Sequence, residues 1–158
     1  MLGKLSEERI ELLLKNQVVG RLGCHADGET YVVPVNYVYK ENALYAHSSK
    51  GKKIEMMRKN PQVCVEVDEI LSIFRWQSVI AWGRFEELTE EVERHRAMQL
   101  ITHTLMPMIT DPAGHPSHGI SDNESDIDTK INLIVYRINL DKKTGRFEDG
   151  IIGTALAP

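Results

Sequence analysis

Leu44-Tyr45-Ala46-His47-Ser48-Ser49-Lys50-Gly51-Lys52-Lys53-Ile54 carries the chain from one kind of local structure into another. Residues 43–48 read as a strand, Gly51 breaks it, and Lys52–Lys59 puts Ile54 and Met57 or Arg58 at helical spacing until Asn60-Pro61 stops the run. The strand delivers an imidazole and two hydroxyls to the turn, the glycine permits close backbone approach, and the helix starts as two lysines arrive. A helix N-terminus presents unpaired N–H groups and a partial positive charge, so these parts together suit a phosphate. Each lysine adds a point charge. The same residues also suit a polar turn with solvated lysines, and spacing alone does not choose between the two.

Upstream, Ser6 can cap a short helix ending near Asn16, with Ile10, Leu13 and Leu14 on one face and Glu7 and Glu8 against the positive end of its dipole. Val18, Gly20, Leu22, Cys24 and Ala26 then alternate as a strand, and Asp27-Gly28 supplies a tight hairpin. The next strand, 30–39, carries Tyr31, Val33, Val35, Tyr37 and Tyr39 on one face and Val32 and Val38 on the other, as expected of a strand covered on both sides. Pro34 cannot donate a ladder hydrogen bond, so an edge, a bulge or a gap is expected there. Glu41-Asn42 makes the following turn.

Downstream, 62–68 is a strand with Val63, Val65 and Val67 inward, and 78–85 is another. Thr89, followed by Glu90, Glu91 and Glu93, reads as the N-cap and acidic first turn of a helix to about Leu105. Residues 107–129 read as a long loop, and 131–140 closes the sheet with Ile134, Tyr136, Ile138 and Leu140 alternating. The acidic run Glu86, Glu87, Glu90, Glu91 and Glu93 reads as a solvated helix face. The expectation is one domain over residues 1–158, mainly β, with six mostly antiparallel strands and flanking helices.

A net charge of −4 without a dense Lys/Arg stripe argues against nucleic acid as a partner. The acidic N-terminus and the lack of an apolar run near the roughly 20 residues that span a bilayer argue against a signal peptide or a membrane span, so a cytoplasmic protein is expected. Cys24 and Cys64 stand far apart without close Cys partners and read as reduced core thiols. Neither has a charged or helix-terminal setting in sequence that would activate it, and no Gly-x-Ser-x-Gly elbow appears. His103, His115 and His118 with Asp111 lack the convergent spacing of a metal site, and His25 reads as a solvent-facing turn neighbour.

Four ordered blocks add a resemblance. Residues 34–39 (Pro34-Val35-Asn36-Tyr37-Val38-Tyr39), 44–53, 57–68 (from Met57-Arg58-Lys59-Asn60-Pro61) and 76–83 (from Trp76-Gln77-Ser78) together resemble the pyridoxamine 5′-phosphate oxidase-like flavoproteins, nearest the nitroimidazole-resistance branch. Tyr136-Arg137-Ile138 and Thr144-Gly145-Arg146 suit that family's last strand. The resemblance implies an FMN-binding split β-barrel, a homodimer and one FMN per subunit at the dimer interface. It also implies that Val33, Pro34, Val35 and Asn36 lie against the flavin ring, and that His47, Ser48, Ser49, Lys52 and above all Lys53 hold the phosphate. Trp76, Gln77 and Ser78 would reach the ring or phosphate from the following strand, across the dimer. Trp76 also suits a core position, whereas Gln77 is polar between apolar neighbours.

No catalytic side chain stands out, which leaves the chemistry to the cofactor. The function implied is an FMN-dependent oxidoreductase that passes electrons from a reduced nicotinamide nucleotide or other donor to a small organic substrate such as a nitroaromatic. The alternatives are a flavin- or haem-binding protein without turnover and a deazaflavin-dependent reductase. Oxidation of pyridoxamine phosphate itself is not expected, because the family's Arg-x-His motif is missing from the stretch ending Gly153-Thr154-Ala155-Leu156-Ala157-Pro158.

Overall fold

The computed structural model describes residues 1–108 and 133–150. In chain order these form β1 (Leu2–Lys4), α1 (Glu7–Asn16), β2 (Val19–Ala26), β3 (Glu29–Asn36), β4 (Val38–Lys40), β5 (Ala43–Ser49), α2 (Lys52–Lys59), β6 (Gln62–Ser72), β7 (Arg75–Glu87), α3 (Glu91–Leu105), a 3₁₀ turn (Met106–Met108) and β8 (Leu133–Asp149). The expected loop beyond Met108 and the histidines at 115 and 118 lie outside the described residues.

One antiparallel sheet runs in the order β3-β2-β6-β7-β8-β5-β4, with β1 added beside β8. The six long strands are those the alternation marks, and two three-residue strands bring the sheet to eight. One of the two arises because 30–39 does not run straight. It parts at Tyr37, whose N–H donates to Val18 O at 2.9 Å while its ring turns into the core. Both hairpin turns have left-handed backbone at their two central residues, Asp27 (φ 52°) with Gly28 (φ 78°) and Glu41 (φ 50°) with Asn42 (φ 60°), the geometry that matches strand twist.

The main core fills the barrel with Leu22, Val65, Val67, Val79, Ala81, Tyr136 and the buried faces of α1 and α2. α1 is capped by Ser6, whose hydroxyl accepts from Arg9 N–H, and it buries Ile10, Leu13 and Leu14. α3 builds a smaller cluster outside the barrel, where Ala97, Met98 and Ile101 pack on Val38, Leu133 and Val135.

Several expectations need correction. The N-cap of α3 is Glu90, not Thr89, because its carboxylate can accept from both Val92 N–H and Glu93 N–H. The acidic run is not merely a solvated helix face. Glu86 lies on β7 and binds Arg137 and Asn139, Glu87 binds Arg58 through both oxygens, and Glu93 also reaches Arg137. Cys24 is buried, but Cys64 is only half-buried because it points to the outer face of the sheet. Covering of the 30–39 strand on both sides does not hold within one chain: Val32 is 61% exposed, and β3 is an edge strand, as Pro34 allows. Finally, β6 and β7 run past the expected ends into a hairpin whose tip exposes Ile70, Leu71, Ile73 and Phe74.

Candidate functional site

The sheet order makes β3 one end of the sheet and β5 with β4 the other, and among the described residues no strand pairing joins the two ends. The barrel is therefore split along this seam. A strand edge left open presents N–H and C=O groups to whatever lies beside it. What lies here is a cavity of about 580 Å³, within the range of roughly 300–1,000 Å³ usual for small-molecule sites.

Val33, Pro34, Val35 and Asn36 from β3 line it on one side, and His47, Ser48, Ser49, Lys52 and Lys53 from β5 and α2 line it on the other. Segments more than ten residues apart in the chain are thus brought face to face by the hairpins between them. Antiparallel pairing of His47 with Val135 and Ser48 with Ile134 fixes the β5 wall against the start of β8. Val18, Tyr31, Lys50, Gly51, Leu105 and Met108 complete the lining. Tyr31 shares the face of Val33 and Val35, so strand periodicity points to it. Leu105 and Met108 carry no such signal, because only the packing of α3 brings them to the seam.

The start of α2 fits an anion. Gly51 is its N-cap, supplies no side-chain hydrogen bond, and leaves the first N–H groups of the helix unclaimed by any cap side chain. Its backbone is extended (φ −180°), so its own dihedrals do not require glycine; a Cβ there would meet nothing within 4 Å, which marks open space at the helix end. The two lysines differ. Lys52 is exposed, donates to Glu29 at 2.5 Å and lies over the Tyr31 ring at 4.9 Å, and the hydrogen bond to Glu29 raises its pKa. Lys53 is half-buried and has no ion pair among the described residues, and burial holds its pKa below the ordinary lysine range.

Beneath them lies Cys24. Its thiol faces Tyr31 O at 3.7 Å and Met56 Sδ at 4.0 Å. Burial pushes the thiol pKa up, against the pull of Lys52 and Lys53, so the charged setting that the sequence did not disclose is present but outweighed.

Trp76, Gln77 and Ser78 do not join this cavity within one chain. They follow the hairpin tip on β7, where Trp76 Nε1 donates to Glu148 at 3.0 Å, Gln77 Nε2 to Glu69 at 2.7 Å and Ser78 Oγ to Glu66 at 2.7 Å. Trp76 and Gln77 line a separate depression of about 130 Å³ with Arg9, Arg75 and Phe147. His25 is exposed, its Nδ1 2.9 Å from Thr30 Oγ1 and away from the cavity. No helix of the described residues is long and apolar enough to cross a membrane.

Comparison with known proteins gives a consistent result. A family model described as pyridoxamine 5′-phosphate oxidase matches residues 6–147. An uncharacterized protein of Rhizobium meliloti (strain 1021) is 29% identical over 142 residues, which is 90% of this chain and 92% of the relative. Among solved structures, an FAD-binding protein from Mesorhizobium loti is 33% identical with a TM-score of 0.76, over 94% of this chain and 99% of its own. A candidate 5-nitroimidazole antibiotic resistance protein of Bacteroides thetaiotaomicron shares the fold at 23% identity and a TM-score of 0.71, over 93% of this chain and 87% of its own.

Proposed function

The chain belongs to the pyridoxamine 5′-phosphate oxidase family, and on that premise we propose that it is a flavoprotein holding FMN in the seam between β3 and the β5–α2 corner. The observation that carries the reading is Lys53: a half-buried cation without an ion-pair partner among the described residues, lining a cavity at the open N-terminus of a helix. Burying a charge is costly unless it is paired, and a phosphate would supply the pair.

Bound there, the flavin would supply reversible electron transfer. The protein's own residues bind and orient. Lys53 and the first N–H groups of α2 neutralise the phosphate, with His47, Ser48, Ser49 and Lys52 around it. The free edge of β3 over 33–36 offers backbone groups to the ring, and Val18, Leu105 and Met108 add apolar surface to the cavity lining. The activity we infer is an oxidoreductase taking electrons from a reduced nicotinamide nucleotide or another donor and passing them to a small organic molecule such as a nitroaromatic.

The same proposal includes a homodimer. In the strand register Val32, Gly23, Cys64 and Trp82 form one row across β3, β2, β6 and β7 on the outer face, with Val32 61% and Trp82 39% exposed. A second copy covering this row and the apolar hairpin tip would bring Trp76, Gln77 and Ser78 toward the partner's flavin.

The test is direct. Purified protein should be yellow, absorb at about 450 nm and release FMN on denaturation. Addition of NADH or NADPH should bleach it, and a nitroimidazole should restore the colour. A colourless protein that ignores added FMN defeats the reading; release of FAD instead would replace the mononucleotide with the dinucleotide, a second reading favoured by the FAD-binding relative at 33% identity. Sedimentation at a monomer's rate would remove the dimer.

A further inference from the structure

One ion pair bridges the mouth of the seam. Glu29 opens β3, Lys52 opens α2, and their side chains meet at 2.5 Å between the two walls. The Tyr31 ring lies under the ammonium at 4.9 Å, so Lys52 is held by an anion and an aromatic face that both belong to β3. Lys53, the next residue, is held by neither. Two adjacent lysines at one helix start both line the cavity but are in opposite states: one committed to the opposite wall, one uncommitted.

We propose that Glu29 withholds Lys52 from the cofactor's phosphate, so that affinity for the phosphate is set by exchange of Lys52 between the two anions. The inference rests on the phosphate reading given above and adds a residue that does not line the cavity. The Glu29 and Lys52 side chains are 58% and 49% exposed, so water and salt already weaken their attraction. A phosphate dianion at the α2 N-terminus can compete for such an ammonium, whereas an uncharged ligand tail cannot. Glu29 thereby keeps the phosphate grip below what both lysines could exert and leaves the flavin exchangeable.

A double-mutant cycle measured with two ligands tests this. Wild type, Glu29→Gln, Lys52→Ala and the double variant are titrated with FMN and with riboflavin, which lacks the phosphate. Glu29→Gln should tighten FMN by about three- to five-fold and leave riboflavin unchanged, and the gain should vanish in the Lys52→Ala background. High salt should shrink the gain. If the gain survives without Lys52, Glu29 acts only through its general field and the proposal is overturned. Weaker FMN binding by Glu29→Gln would overturn it too, by making Glu29 an organiser of Lys52. Equal wild-type affinities for FMN and riboflavin would be a different failure, removing the phosphate site itself. Matching thermal unfolding of Glu29→Gln and wild type establishes that folding is not the cause.

Discussion

Two partly buried lysines sit on this small barrel in opposite circumstances. Lys143 on β8 is surrounded: it donates to Glu11 on α1, to the Tyr39 hydroxyl at 3.2 Å and to Asn42 Oδ1 at 2.7 Å, while Tyr39 itself donates to Glu11 at 2.7 Å. Lys53 at the seam has no ion pair among the described residues. Both lose hydration, yet the outcome differs in sign. For Lys143 burial lowers the pKa, but the bonds to Glu11 and Tyr39 outweigh it and the net shift is upward; for Lys53 burial prevails and the shift is downward. A cation with partners ties a helix to a sheet, and one that lines a cavity without an ion pair has no such structural tie.

The largest effect that would sharpen this contrast is on binding. Lys53→Ala should cost about 1.5–3 kcal/mol of FMN affinity, the range for a hydrogen bond to a charged group, without lowering thermal stability, because the charge it removes is unpaired among the described residues. Titration with FMN together with thermal unfolding would check it, and unchanged affinity would place the phosphate elsewhere. Lys143→Ala should do the reverse, costing about 1–2 kcal/mol of stability by removing the ammonium from Glu11 and the donor from Asn42 Oδ1, with FMN affinity unaltered.

The pH dependence separates the two further. Lys143 has a raised folded pKa, so its stabilisation is complete below the unfolded value and is lost as pH rises through the folded one. Glu11 has a lowered pKa, so its share is present above the unfolded value and is lost as pH falls through the folded one. Lys53 has a lowered pKa, so the folded chain binds fewer protons there than the unfolded chain, and stability from this group rises with pH between the two values. FMN affinity should fall over the same alkaline range, as the ammonium that grips the phosphate is lost, while riboflavin affinity stays level. Denaturant unfolding and paired titrations across that range would reveal the opposed signs. The smallest effect belongs to Arg58, whose bidentate pair with Glu87 is partly exposed: Arg58→Ala should lower stability by less than Lys143→Ala does and leave FMN binding unchanged.

Much of the fold was legible because strand alternation and turn chemistry are local. The period-two runs of β2, β6 and β8, the left-handed turns at 27–28 and 41–42, the Ser6 cap and the Lys52–Lys59 helix each need only a few neighbouring residues to be recognised. Glu90 displaced Thr89 as the cap of α3 because two backbone N–H groups lay within reach of its longer side chain, a choice made by a rotamer. The acidic run misled for a related reason, since the arginines that bind it come from α2 and β8.

By itself, the sequence determined the strands, the helix start that carries the lysines, and the family's ordered blocks, since each depends on spacing along the chain. Only the tertiary structure decided that β3 and β5 face each other across an unpaired seam, that Leu105 and Met108 join its lining, that Trp76, Gln77 and Ser78 stand apart, and that Lys52 is engaged where Lys53 is not. Local conformation follows from neighbouring residues, but the burial and pairing of a charge depend on which distant segment the folded chain lays beside it.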